Sequence, residues 1–165
     1  MDEQRAAAFS QQLRQAHQRL RDQLARIRAG LGSPADTEPA DTGPALPLHC
    51  LAFCSALTAH HQGEDSGLFT ELLALRPDLE PAVAKLAEDH TLIAAIVRQV
   101  QALAEQAPTA PAENRPRLRR ELDGLTAITE SHFRYEERAI GAALDQGVPD
   151  TGWSRPVFRP ADPAS

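Results

Sequence analysis

An all-α fold is expected from this sequence: an up-down-up-down antiparallel four-helix bundle with an irregular C-terminal tail. Three features lead there. Apolar residues make up 42% of the 165, yet the aromatic residues are one Trp, one Tyr and five Phe. Alanine and leucine carry the rest, which favours closely packed helices over a β-sandwich. Proline- and glycine-rich breaks then cut the chain into four segments, and each segment repeats apolar residues at steps of three and four.

The first helix is expected over residues 3–30, with Phe9, Leu13, Leu20, Leu24 and Ile27 on its inner stripe. A linker, residues 30–47, separates it from the second helix, expected over 46–75. The turn "RPDLEP" precedes a third helix over 80–106, whose stripe is Val83, Leu86, Ile93, Val97 and Val100. The break "APTAPAENRP" precedes a fourth over 115–145, carrying Leu118, Leu122, Leu125, Ile128, Ile140 and Leu144. At 1.5 Å per residue, rods of about 25 residues are roughly 38 Å long. The short connections between the later helices favour antiparallel neighbours. Residues 1–146 therefore read as one bundle domain and 147–165 as an irregular tail, in which Trp153 and Phe158 serve as anchors.

Charge and composition exclude several classes of function. A net charge of −6 argues against a general nucleic-acid binder, which needs a basic face. No apolar run reaches the length of about 18 residues that a membrane span needs. The start, "MDEQRAAAFSQQ", is polar and acidic where a leader would be basic and then apolar. Cys50 and Cys54 lie one helical turn apart, a poor disulfide geometry, and read as core fillers in a reducing, cytoplasmic setting.

Polar residues interrupt the apolar stripes at matched depths. His17 lies between Leu13 and Leu20, and His90 between Leu86 and Ile93, at the same steps of four and three. His132 is followed four residues later by Glu136. In "LTAHHQGEDSGLF" the helical period admits either His60 with Glu64 or His61 with Asp65. An internal repeat chooses between them. A shift of 72 residues superposes the second helix on the fourth, His60 on His132 and Glu64 on Glu136. A shift of 73 does the same for the first and third, His17 on His90. His60 is therefore the inward residue, and His61 reads as a rim residue. Asp65 and Glu137 read as surface or supporting acids, Tyr135 as solvent-facing, and His49 as a bundle-end residue.

Residues four apart on a helix share a face about 6 Å along the axis. Four such helices would gather His17, His60, Glu64, His90, His132 and Glu136 at one level. Two carboxylates buried there would repel one another unless cations lay between them. Six nitrogen and oxygen donors exceed one tetrahedral zinc and suit two iron ions bridged by the carboxylates.

The order of these motifs, His17, "HHQGE" at 60–64, "EDH" at 88–90 and "HFRYE" at 132–136, resembles the hemerythrin-like domains with the pattern H…HxxxE…H…HxxxE. The resemblance spans about residues 10–145 and implies a bundle around an oxo- or hydroxo-bridged di-iron centre that engages dioxygen or peroxide. There is a departure from the oxygen-carrying members. They place a second His on the third helix, where this chain has Ala94, and an Asp five residues after the last His. One fewer imidazole leaves more open positions, which favours redox turnover of peroxide over stable dioxygen storage. A non-enzymatic iron or oxygen sensor is the alternative, and a metal-free helical interaction protein is a third reading.

Overall fold

The computed structural model describes residues 7–31, 45–106 and 114–160. The beginning of the first predicted helix, most of the 30–47 linker, most of the break before the fourth helix and residues 161–165 lie outside the described residues. Everything regular among the described residues is helical: α1 (Phe9–Gly30), α2 (Ala45–Gly63), α3 (Phe69–Leu75), α4 (Glu80–Gln106), α5 (Asn114–Leu144) and α6 (Ser154–Phe158). None of these helices is long and apolar enough to cross a membrane.

α2 and α3 form one rod, joined through a π-helical turn, Glu64–Leu68, in which the Phe69 amide reaches back five residues to the Glu64 carbonyl. Such turns insert about one extra residue per turn into an α-helix and recur at functional sites. Pro77 opens a short 3-10 turn, Pro77–Leu79, that redirects the chain into α4. There Pro81 sits in the first turn, where a missing N–H costs no hydrogen bond. α5 packs on α1 and α4, α2 packs on α4, and the seam between α1 and α2 is the thinnest of the four. Across that seam lies α6, which touches both α1 and α2.

The core has two apolar layers. One joins Leu20, Leu24, Ile27, Phe53, Leu57, Ile93, Leu122 and Leu125. The other joins Leu13, Leu68, Leu72, Leu86, Ile140, Leu144, Trp153 and Phe158. Between them lies a polar layer of buried His17, His60, His61, Glu64, His90, His132 and Glu136. Cys50 and Cys54 are free thiols inside the first apolar layer.

The C-terminal segment departs from the expected irregular tail. Gly147 and Gly152 adopt φ of 94° and 111°, a left-handed conformation that side chains disfavour, and these two bends turn the chain back onto the rods. α6 follows, with Val157 and Phe158 buried. Phe9, Trp153 and Phe158 then form an aromatic trio with ring centroids 5.1 to 5.8 Å apart. The anchoring roles read for Trp153 and Phe158 match this packing. The helix between them was not legible, because five residues carry no periodic signal.

Candidate metal centre

Each rod contributes one inward level to the polar layer. His17 stands on α1, between Leu13 and Leu20. His60 and His61 stand at the end of α2, and Glu64 opens the π turn. His90 comes from α4, while His132 and Glu136 come from α5. All six residues singled out from the sequence are buried in this layer.

Their donor atoms fall into two groups that share one carboxylate. His17, His60, Glu64 and Glu136 each offer an atom within 4.8 Å of the others, and so do His61, Glu64, His90 and His132. Glu64 faces both groups, with Oε2 3.5 Å from His60 Nε2 and Oε1 3.3 Å from His90 Nε2. Glu136 does the same, with Oε1 3.1 Å from His17 Nε2 and Oε2 3.6 Å from His132 Nε2. These approaches are of ion-pair length. The Glu64 and Glu136 oxygens and the Nε2 atoms of His17, His60 and His61 nevertheless have no aligned hydrogen-bond partner. Buried polar atoms left so cost free energy, and a shared cation would satisfy them.

The outer nitrogens fix how the rings present themselves. His17 Nδ1 lies 2.7 Å from Glu137 Oε2, His90 Nδ1 2.8 Å from Asp65 Oδ1, and His132 Nδ1 3.1 Å from Asp89 Oδ2. His60 Nδ1 lies 2.6 Å from the Val157 carbonyl oxygen. An ionised carboxylate or a carbonyl can only accept, so each of these Nδ1 atoms carries the proton and donates it. At His60, His90 and His132 Nε2 is then a lone pair aimed inward, the arrangement by which outer hydrogen-bond partners orient metal-binding imidazoles. At His17 burial, which lowers the pKa, is outweighed by Glu136 and Glu137, which raise it. Glu137 is further held by Arg21, whose guanidinium lies 5.3 Å over the Phe133 ring, and Asp89 by Lys85.

Electrostatics mark the same atoms. Burial, reinforced by the neighbouring Glu136 carboxylate, pushes the Glu64 carboxyl well above its usual range. Glu136 is driven the other way: burial opposes ionisation, but the close approach of His17 and of Glu64 and the nearby His132 outweigh it. Burial and then His17 depress His60 to about 3, and burial with the adjacent rings depresses His61. Both stay neutral, as a metal-binding imidazole must.

Several residues depart from the sequence reading. His61, read as a rim residue, is buried and stacks on His90 with ring centroids 3.9 Å apart, because α2 turns both histidines of the pair inward. The structure therefore brings five imidazoles together, not four. Asp65 and Glu137 take the supporting part read for them, and Tyr135 is half-buried under Lys85 rather than turned fully to solvent. His49 is exposed and outside the layer. Asp89 was missed. Its one signal was position, an acid directly beside a candidate donor, as Asp65 and Glu137 also are. The Val157 carbonyl carries no signal of side-chain identity at all.

The comparisons bear on the same stretch. The family described as the hemerythrin HHE cation binding domain matches residues 8–144. Neither the curated proteins nor the solved structures contain a match to this chain.

Proposed function

The chain belongs to the hemerythrin HHE cation-binding domain family, and from that premise we propose that it is a non-haem di-iron protein that binds dioxygen or peroxide. In this reading residues 1–146 are one domain, an antiparallel up-down-up-down bundle, with 147–165 as its tail. His17 and His60 would hold one ion and His61, His90 and His132 the other, with Glu64 and Glu136 offering an oxygen to each half.

One observation carries the reading. His90 Nε2 and His132 Nε2 lie 3.2 Å apart, and both rings already give their Nδ1 protons to Asp65 and Asp89. Two nitrogen lone pairs this close in a buried layer repel one another unless a proton or a metal cation lies between them, and Glu64 Oε1, 3.3 Å from His90 Nε2, gives a cation a further donor there. The donor set, five imidazoles and two carboxylates, suits iron better than calcium or magnesium, which prefer all-oxygen sites.

Iron held there supplies Lewis acidity and two one-electron redox steps side by side. The protein's own part is to orient the imidazoles through their outer partners and to exclude bulk water with Leu57, Leu68, Leu125 and Ile140, all fully buried. His61 restores the imidazole that Ala94 does not provide, so dioxygen binding stands beside peroxide decomposition as an activity. Free Cys50 and Cys54, with burial holding their thiols protonated at about 11 and about 12, fit a reducing cytoplasmic compartment.

The test is iron per chain, the optical spectrum of the ferric form, and oxygen evolution on adding hydrogen peroxide. Two ions per chain with peroxide turnover support an oxidoreductase. A protein that takes up no iron would reject the proposal. The unpartnered buried donors favour a second reading, a non-enzymatic iron or oxygen sensor, because they make folding itself depend on metal. Two ions per chain, no turnover and a large loss of stability on chelation would select it.

A further inference from the structure

His60 differs from the other oriented imidazoles in what holds its outer nitrogen. His17, His90 and His132 are held by carboxylates on α5, on the π turn and on α4, so their partners are fixed by the rods themselves. His60 donates instead to the carbonyl of Val157, in α6. The match to the family ends at residue 144, so this partner lies beyond the matched region.

The rod surface facing α6 is shaped to receive it. Gly63 and Gly67 stand four residues apart at the π turn and form a notch on one face. A Cβ added at Gly67 would lie 2.6 Å from Trp153 Cβ, and one added at Gly63 would lie 3.0 Å from Pro156 and Val157. Neither glycine has a positive φ, so what these positions require is the close approach of α6. Arg19 on α1 donates to the Phe158 carbonyl, Trp153 Nε1 donates to the Pro149 carbonyl at 2.7 Å, and Asp150 caps the start of α6 through Ser154. The segment thus closes the thin α1–α2 seam at the level of His17 and His60.

We propose that the segment Trp153–Phe158 is a positioning strap for one half of the metal centre: docked in the Gly63/Gly67 notch, it holds His60 with Nε2 inward, so iron retention by the His17–His60 half depends on it while retention by the His61–His90–His132 half does not. This rests on the di-iron reading. Outer hydrogen-bond partners of a metal-bound imidazole are worth about 10–100-fold in affinity.

The full chain carries its own reporter, since Trp153 is the single tryptophan and is buried. Gly67→Leu blocks the notch without touching a donor or lowering helix propensity. The expected result is a red-shifted Trp153 emission, and release to a ferrous-iron chelator in which one of two ions leaves at least tenfold faster and the other changes less than twofold. Trp153→Ala, outside the rods, is expected to give the same split in release and decides the matter alone if Gly67→Leu fails to fold by circular dichroism. Unchanged emission in folded Gly67→Leu, an emission shift with unchanged release, or equal acceleration of both ions would each overturn the strap. A wild-type chain holding fewer than two ions would instead defeat the di-iron reading beneath it.

Discussion

Replacing His61 by Leu separates a metal donor from a histidine that merely fills the core. Leucine has nearly the same volume, so the substitution leaves little cavity in a layer where His61 is packed against His90 and His132. Its Nε2 has no hydrogen-bond partner, and burial keeps the ring neutral. In the metal-free protein the substitution removes a buried, unsatisfied polar atom, which costs about 1–3 kcal/mol where it stands. The apo form should therefore be stabilised. At about 2–4 °C per kcal/mol for a chain of this size, its Tm rises by a few degrees. With iron the sign reverses. The half of the centre built on His90 and His132 loses one of three imidazoles, and an affinity loss of tenfold or more, at least about 1.4 kcal/mol, falls on one ion. The assay is iron per chain by chelator competition, together with thermal melts with and without iron. A variant that keeps two ions at wild-type affinity would refute His61 as a donor, even with the expected rise in apo Tm.

Three further outcomes follow from the same geometry. Removing iron from the wild-type chain should lower Tm by about 10–20 °C, since several kcal/mol of unsatisfied burial return to a fold whose total stability is of that order; differential scanning calorimetry with and without chelator measures it. Asp89→Asn and Glu137→Gln, which leave the helices intact but loosen His132 and His17, should each weaken iron binding by about 10–100-fold with unchanged circular dichroism. Asp145 on the surface is held below the usual carboxylate range by hydrogen bonds from the Ser10 hydroxyl and the Ser10 amide. A depressed native value gives stability that is present above the unfolded value and is lost as pH falls through the native one. Denaturant midpoints measured from pH 5 down to pH 2 should therefore fall less steeply in Ser10→Ala than in wild type.

The rods were legible because their boundaries are chemical. Proline and glycine clusters stop helices whatever their neighbours do, and the second, third and fourth ran within a residue of the expected limits. The paired histidines were harder. His60 and His61 are about 100° apart around a helix, and a stripe drawn through one turns the other sideways. The internal repeat favoured His60 because the fourth helix has one histidine there. The repeat could not report that the second position is also used, since Phe133 occupies it on α5 and lies flat on His17, 4.0 Å away. The corresponding slots are thus filled by unlike groups, a ring that stacks on a donor and a ring that offers one. The tail was hidden for another reason. Its contribution to the site is a backbone carbonyl, and its fit depends on two glycines whose meaning is the absence of a side chain.

The division of the centre follows from the same accounting of atoms. Glu64 and Glu136 each face a histidine in both halves, so neither carboxylate can move toward one half without leaving the other. The two halves are not equal in support. The three-imidazole half draws His61 and His90 into a stack and ties His90 and His132 to acids on rods that the main core already holds together. The two-imidazole half sits at the thinnest seam, with one ring tied to a short C-terminal helix. The half with fewer protein donors is thus the one whose shape depends on the docked C-terminal helix, and the half with more donors is the one the rods hold by themselves.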